Sequence, residues 1–300
     1  MTNVLNILCK IKIFDTNDLP LPQADTPAEV IAIAFTVLLI TGLAFLIYWL
    51  AATSFGRTAL DNSSPRRNAM ALYTPLIPFG VWIFLSAITG GVLGKMKGRL
   101  ADWQQELLVL TLTGAVAAAM VGMTVVIVRW YFVRSFKGFG LAPKTIGNDC
   151  VGAIATLLAV WPLVFGVLLL TLGIGKLIFG PEFEITKHDE LESLIKYPQW
   201  SIRLAIFFMA IVVAPLSEEL LFRGLFQTAF RNLSQKPWMA IIAASVIFAM
   251  AHPNREHWPA LFVLAMGFGY TYEKSGSLFR PICMHAIFNG VMIIATLMQQ

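Results

Sequence analysis

Charge is scarce in this chain of 300 residues: 13% are Asp, Glu, Lys or Arg, against roughly 25% in a soluble domain. Hydrophobic residues make up 57%, which excludes an ordinary water-soluble globule. Cysteine is scarcer still. Cys9, Cys150 and Cys283 are scattered, odd in number and without C-x-x-C spacing, so neither a disulfide framework nor a thiolate metal site is expected, and the redox compartment stays open. There is no internal repeat of transporter type, no G-x-S-x-G turn for a serine nucleophile and no H-E-x-x-H pair for zinc. The first 28 residues carry a short apolar run broken by Lys10 and Lys12, with no small-residue cleavage site after it, so no cleaved signal peptide is expected. The final residues, Leu297-Met298-Gln299-Gln300, hold no cysteine for prenylation, so the chain is not expected to be prenylated itself.

What the sequence does have is long apolar runs. A hydrocarbon core about 30 Å thick takes roughly 20 apolar residues per helix. Runs at about 29–52, 71–94, 106–132, 151–179, 201–230, 238–252, 259–272 and 279–298 fit that pattern, the sixth and seventh being short. The expectation is an all-α, polytopic membrane protein of about eight transmembrane helices around a polar intramembrane cavity. It divides into an N-terminal tail (1–28), helices 1–4 (29–180), a polar connecting loop (181–200) and a catalytic region of helices 5–8 (201–298). The net charge of +5 sits mainly in short loops beside apolar runs, as membrane topology requires, which argues against a nucleic-acid partner. Arg66, Arg67, Arg134, Lys137, Lys144 and Arg231 fall in the odd-numbered loops and favour a cytoplasmic side there. Multi-pass insertion in the cell (plasma or inner) membrane is expected, with the lipid bilayer as a partner. Trp49, Trp103, Trp130, Trp200, Trp238 and Trp258 lie near run ends, where an indole sits well at headgroup level.

The first four runs have almost no ionisable residue inside them, whereas Glu218, Glu219, Arg223, His252 and His285 lie in apolar context after residue 200. Three charges in one apolar helix, at roughly 2.5–3.5 kcal/mol each, would oppose insertion by about 8–10 kcal/mol if uncompensated. They must therefore face protein or water. Glu219 and Arg223 have the spacing and order of a same-face helical ion pair, with Glu218 about 100° away and free for another task. Pro215, one turn earlier, removes a backbone donor and can open the helix to water. His252 ends the Phe248-Ala249-Met250-Ala251-His252 run. His285 and Asn289, four apart, share a helix face.

Taken singly, each residue has a plain structural explanation: an ion-pair lock, an interfacial histidine, an interhelical hydrogen bond. Together they supply what amide hydrolysis needs, an activated water and donors for the oxyanion. Glu218 is the candidate base, His252 its water-orienting partner, His285 and Asn289 the oxyanion donors, and Glu219 with Arg223 the supporting pair. Ser217 and Cys283 lie near these residues but outside any nucleophile motif. Glu218, His252 and His285 could instead form a His₂Glu set for a divalent metal such as zinc, so the cofactor stays open.

Glu-Glu-x-x-x-Arg at 218–223, Phe-x-x-x-His at 248–252 and His-x-x-x-Asn at 285–289 resemble, in order and separation, the CAAX prenyl protease and bacteriocin-processing family of intramembrane proteases, which includes the type II CAAX prenyl endopeptidases. The resemblance covers about residues 200–295. It implies a mainly eight-helix intramembrane fold, cleavage of a membrane-embedded or membrane-associated protein or peptide by glutamate-activated water, and the six residues above as the functional set. Family members are often labelled metalloproteases, and a metal-free mechanism has also been argued, so the resemblance leaves the metal undecided. Two readings from other classes compete. A non-catalytic membrane binding or bacteriocin-immunity protein would keep the polar residues for packing, and an ion-coupled transporter would use Glu218 and Glu219 as a relay.

Overall fold

A computed structural model describes residues 27–186 and 189–298. Eight helices dominate it: α1 (Pro27–Ala52), α2 (Leu76–Met96), α3 (Asp102–Tyr131), α4 (Ile146–Phe179), α5 (Trp200–Ser234), α6 (Pro237–Met250), α7 (Trp258–Ser275) and α8 (Phe279–Leu297). Shorter helices at Ser135–Phe139 and Asp189–Lys196 lie in the connections. Among the described residues the only β pairing is an isolated antiparallel bridge between Asn68 and Phe132. The chain is all-α and a multi-pass integral membrane protein.

The eight helices correspond to the eight apolar runs. Among the described residues six of them, α1 to α5 and α8, are long and apolar enough to cross a membrane by length and composition, and α6 and α7 are shorter or less apolar. Both shortfalls come where the apolar runs were short. α6 has 14 residues, about 21 Å at 1.5 Å per residue, too little for a hydrocarbon core about 30 Å thick. α7 has 18 residues but is packed inside the bundle, so its buried surface includes Gly267, Gly269, Thr271, Tyr272 and Glu273 rather than continuous aliphatic sequence. It lies against α4, α6 and α8.

The lipid-facing and protein-facing helices differ in the expected sense. α1 and α2 expose Ile33, Val37, Ile40, Ile47, Ile83 and Phe84, because alkyl chains outside are as apolar as the side chains themselves. α4 is the central strut, touching α1, α7 and α8. Its internal Pro162 leaves the Leu158 carbonyl without an α-helical donor, and Gly42 of α1 backs onto that carbonyl. A Cβ at position 42 would lie 2.4 Å from the Leu158 oxygen.

The large core joins α3 to α8 through Val128, Phe132, Leu157, Trp161, Leu221, Leu225, Phe248, Ala265, Phe268 and Met284. At one end the loop after α1 is tied onto α5 and α7. Arg66 donates to the Tyr272 carbonyl and its guanidinium sits 4.7 Å from that ring, Lys274 donates to the Ala59 carbonyl, and Asn232 donates to Asn68. Two of the indoles expected at headgroup level do internal work as well. Trp49 donates to the Tyr270 hydroxyl at 2.8 Å, and the Trp238 ring stacks on Tyr270.

Candidate active site

α5 is not a regular helix where it carries the glutamates. Two π-helical segments, Met209–Val213 and Leu220–Gln227, flank the α-helical turn Ala214–Glu219. Proline accounts for the first. The Ala214 N–H reaches back five residues to the Met209 carbonyl, so the next bond in that register would run from residue 215 to Ala210. Pro215 has no N–H to give. Asn289 of α8 fills the gap, its Nδ2 donating to the Ala210 carbonyl at 2.7 Å.

One turn later stands a fully buried ion pair. Arg223 Nη1 donates to Glu219 Oε1 at 2.7 Å, with neither side chain exposed. His285 Nδ1 lies 2.9 Å from the same oxygen, so a guanidinium and an imidazole converge on one carboxylate oxygen. Arg223 Nη2 also donates to the Ala265 carbonyl of α7 at 3.3 Å. Its guanidinium is held between Phe248, 4.4 Å from the ring centre, and Phe268, 4.9 Å away, so two aromatic faces replace water around the charge. His285 stacks on Phe268 at 4.8 Å. Gly224 is required beside this pair, since a Cβ there would come within 2.1 Å of the buried Phe139 ring.

His252 is fixed separately. Its Nδ1 is 2.9 Å from the Phe248 carbonyl, and a carbonyl only accepts, so Nδ1 carries the proton. In the neutral ring Nε2 is then the acceptor. Trp258 holds the turn by donating from its indole to the His252 carbonyl at 2.9 Å. Phe248 thus links the cluster: its carbonyl sets His252, and its ring touches Arg223, His252 and His285.

Glu218 stands apart. It is half-buried and makes no hydrogen bond or ion pair with another described residue. Glu218 Oε2, Glu219 Oε2 and Arg223 Nε are buried without a protein partner. Groups of this kind are ordinarily satisfied, and an orphaned buried oxygen calls for water or a ligand.

Of the six residues singled out in the sequence, the fold joins Glu219, Arg223 and His285 directly, and ties His252 to them through Phe248. It leaves the Glu218 carboxylate open and engages Asn289 with the backbone of α5. Phe248 was read only as the first residue of the Phe-x-x-x-His motif and not as part of the functional set, and Phe268 was not singled out at all. A second buried polar group also went unread. Arg231 Nε donates to Glu273 Oε1 at 2.8 Å, and Gln227 bridges to the Gly269 carbonyl. Among the described residues no three His, Cys, Asp or Glu side chains are placed to hold a metal ion, so Glu218, His252 and His285 do not fit a His₂Glu donor set in this arrangement.

Residues 199–291, which contain every residue of this cluster, match a known family model. That family is the type II CAAX prenyl endopeptidase Rce1-like group. The matched region runs from the start of α5 into α8, leaving the first four helices outside it. The membrane-embedded CAAX protease MroQ of Staphylococcus aureus (strain USA300) is 33% identical over 102 residues, which is 32% of this chain and 41% of that protein. The chain therefore matches less than half the length of this curated relative. No solved structure matches the chain. The matched region includes the parts of α5, α6 and α8 that meet around Phe248.

Proposed function

We propose that the chain is an intramembrane endopeptidase that hydrolyses a peptide bond in a membrane-embedded or membrane-associated protein or peptide. The observation that carries this reading is the pair of adjacent glutamates that each keep a buried, unpartnered oxygen, on a helix packed with His285 and tied through Phe248 to His252, whose proton is fixed on Nδ1.

In this reading Glu218 is the general base. Its Oε2 has no hydrogen-bond partner, so it is free to take a proton from water. His252 orients that water through Nε2, which its bond to the Phe248 carbonyl leaves as an acceptor. Attack on the scissile carbonyl produces a tetrahedral oxyanion, and Glu218 returns the proton to the leaving amine.

His285 and Asn289 face the oxyanion in the same proposal. His285 Nδ1 is engaged by Glu219, so Nε2 donates only when the ring carries both protons. Asn289 uses one N–H on Ala210 and has a second to offer. Glu219 and Arg223 act as positioning residues, holding His285 against α5. No step requires a metal ion.

The test is cleavage of a membrane-anchored substrate by the purified chain in lipid. Glu218→Ala and His252→Ala should each abolish cleavage while the protein stays folded by thermal unfolding and gel filtration. Full activity in either folded variant would end this mechanism.

A further inference from the structure

Cys150 and Cys283 are separated by 133 residues and show no motif, yet the fold brings their sulfurs to 2.8 Å. Cys150 lies in the first turns of α4 and Cys283 in those of α8. The approach is held by its neighbours. Asp149 receives Arg280 Nε at 3.3 Å and the Ser277 hydroxyl at 2.5 Å, pinning the start of α8 to the start of α4. The Leu278 N–H, donated to the Gly140 carbonyl at 2.9 Å, fixes the turn just before. Both thiols are partly exposed rather than sealed in the core, so a small oxidant can reach them.

We propose that Cys150 and Cys283 form a thiol modification site, a dithiol that a peroxide converts to a reversible disulfide between α4 and α8. One thiolate attacks a peroxide oxygen and the O–O bond breaks, giving a sulfenic acid and, with a proton, water. The second sulfur then displaces the sulfenic hydroxyl as a second water, and the S–S bond forms. Both sulfurs are oxidised, the peroxide is reduced, and the thiol protons leave in the two waters. A disulfide holds its sulfurs about 2.05 Å apart, so the pair need close by less than about 1 Å. External dithiol reverses the step by exchange.

The site is separate from the proposed hydrolytic cluster. Cys283 is two residues before His285, about 200° around the helix, so it faces α4 while His285 faces α5. The bond would staple the base of the helix that carries His285 and Asn289 without consuming any atom of the cluster.

The test uses the full chain in lipid nanodiscs, reduced, freed of reductant and exposed to hydrogen peroxide. After denaturation, maleimide labelling should fall from all three cysteines to Cys9 alone, with a Cys150–Cys283 cross-linked peptide by mass spectrometry. Dithiothreitol should restore all three. The oxidised protein should also unfold at a higher temperature than the reduced one, a shift lost in Cys150→Ser. Continued labelling of both Cys150 and Cys283 in the folded, peroxide-treated protein would overturn the proposal, as would cross-links that join separate chains.

Discussion

Glu218 and Glu219 are adjacent, yet a helix turns them into different surroundings, and that difference makes their substitutions separable. Glu219 is bound by Arg223 and His285 with no exposure, so Arg223→Ala leaves a buried carboxylate short of its counter-charge. Removing one partner of such a pair costs about 3–5 kcal/mol, and a large fall in the thermal midpoint is expected. Glu218→Gln keeps the side-chain shape and disturbs no hydrogen bond at Oε2, so it should change stability by less than about 1 kcal/mol. Activity should nonetheless fall by about 10²–10⁴, the usual contribution of a positioned base. Unfolding curves and cleavage rates measured on the same preparations check both. The Glu219–Arg223 pair was legible in the sequence because four-residue spacing on a helix is a local geometric fact. That His285 shares the same oxygen was not, because 66 residues intervene and only packing of α8 on α5 brings them together. Nδ1 of His285 is committed to Glu219, so the ring expected to donate to the oxyanion has only Nε2 to give.

At the scale of the helix, Pro215 and Asn289 answer each other across α5 and α8. Asn289→Ala strands the Ala210 carbonyl and should cost about 1–3 kcal/mol. Pro215→Ala supplies a backbone N–H in register for that carbonyl, so the loss from Asn289→Ala should be smaller in the Pro215→Ala background. A double-mutant cycle read by thermal unfolding measures the coupling, and strict additivity would contradict the pairing. Gly224→Ala should destabilise by about 1–3 kcal/mol through overpacking against Phe139. Helix positions were readable from apolar runs, since hydrocarbon thickness sets their length. The π-helical turns were not, because they depend on a tertiary partner for the orphaned carbonyl as much as on the proline itself. The Cys150–Cys283 contact escaped for a related reason: sequence spacing reports only local neighbours, and these two belong to helices that meet end to end through Asp149 and Arg280.

Across the whole molecule, the segment between α4 and α5 is fastened to the loop that follows His252. The Thr186 hydroxyl donates to Glu256 at 2.6 Å, and His257 Nε2 donates to the Thr186 carbonyl at 2.9 Å. Burial, the largest single influence, would raise the Glu256 carboxyl, but the Thr186 hydroxyl, backbone N–H donors and the His257 ring together outweigh it and hold the group below its ordinary value of 4.5. A lowered carboxyl contributes stability that is complete above 4.5 and lost as pH falls through the folded value. Amide exchange at residues 181–186 should therefore quicken below that range, and Thr186→Val should weaken the pH dependence. The membrane character and helical class were plain from composition. The lengths of α6 and α7 were the less legible part, because apolar sequence marks burial in protein as readily as burial in lipid. The functional claim rests on the Rce1-like region and is tested most directly by comparing protein termini in membranes that hold either the wild-type chain or folded Glu218→Ala. The account predicts one or a few new termini from membrane proteins that vanish in the variant, and their persistence with folded Glu218→Ala at wild-type levels would contradict it.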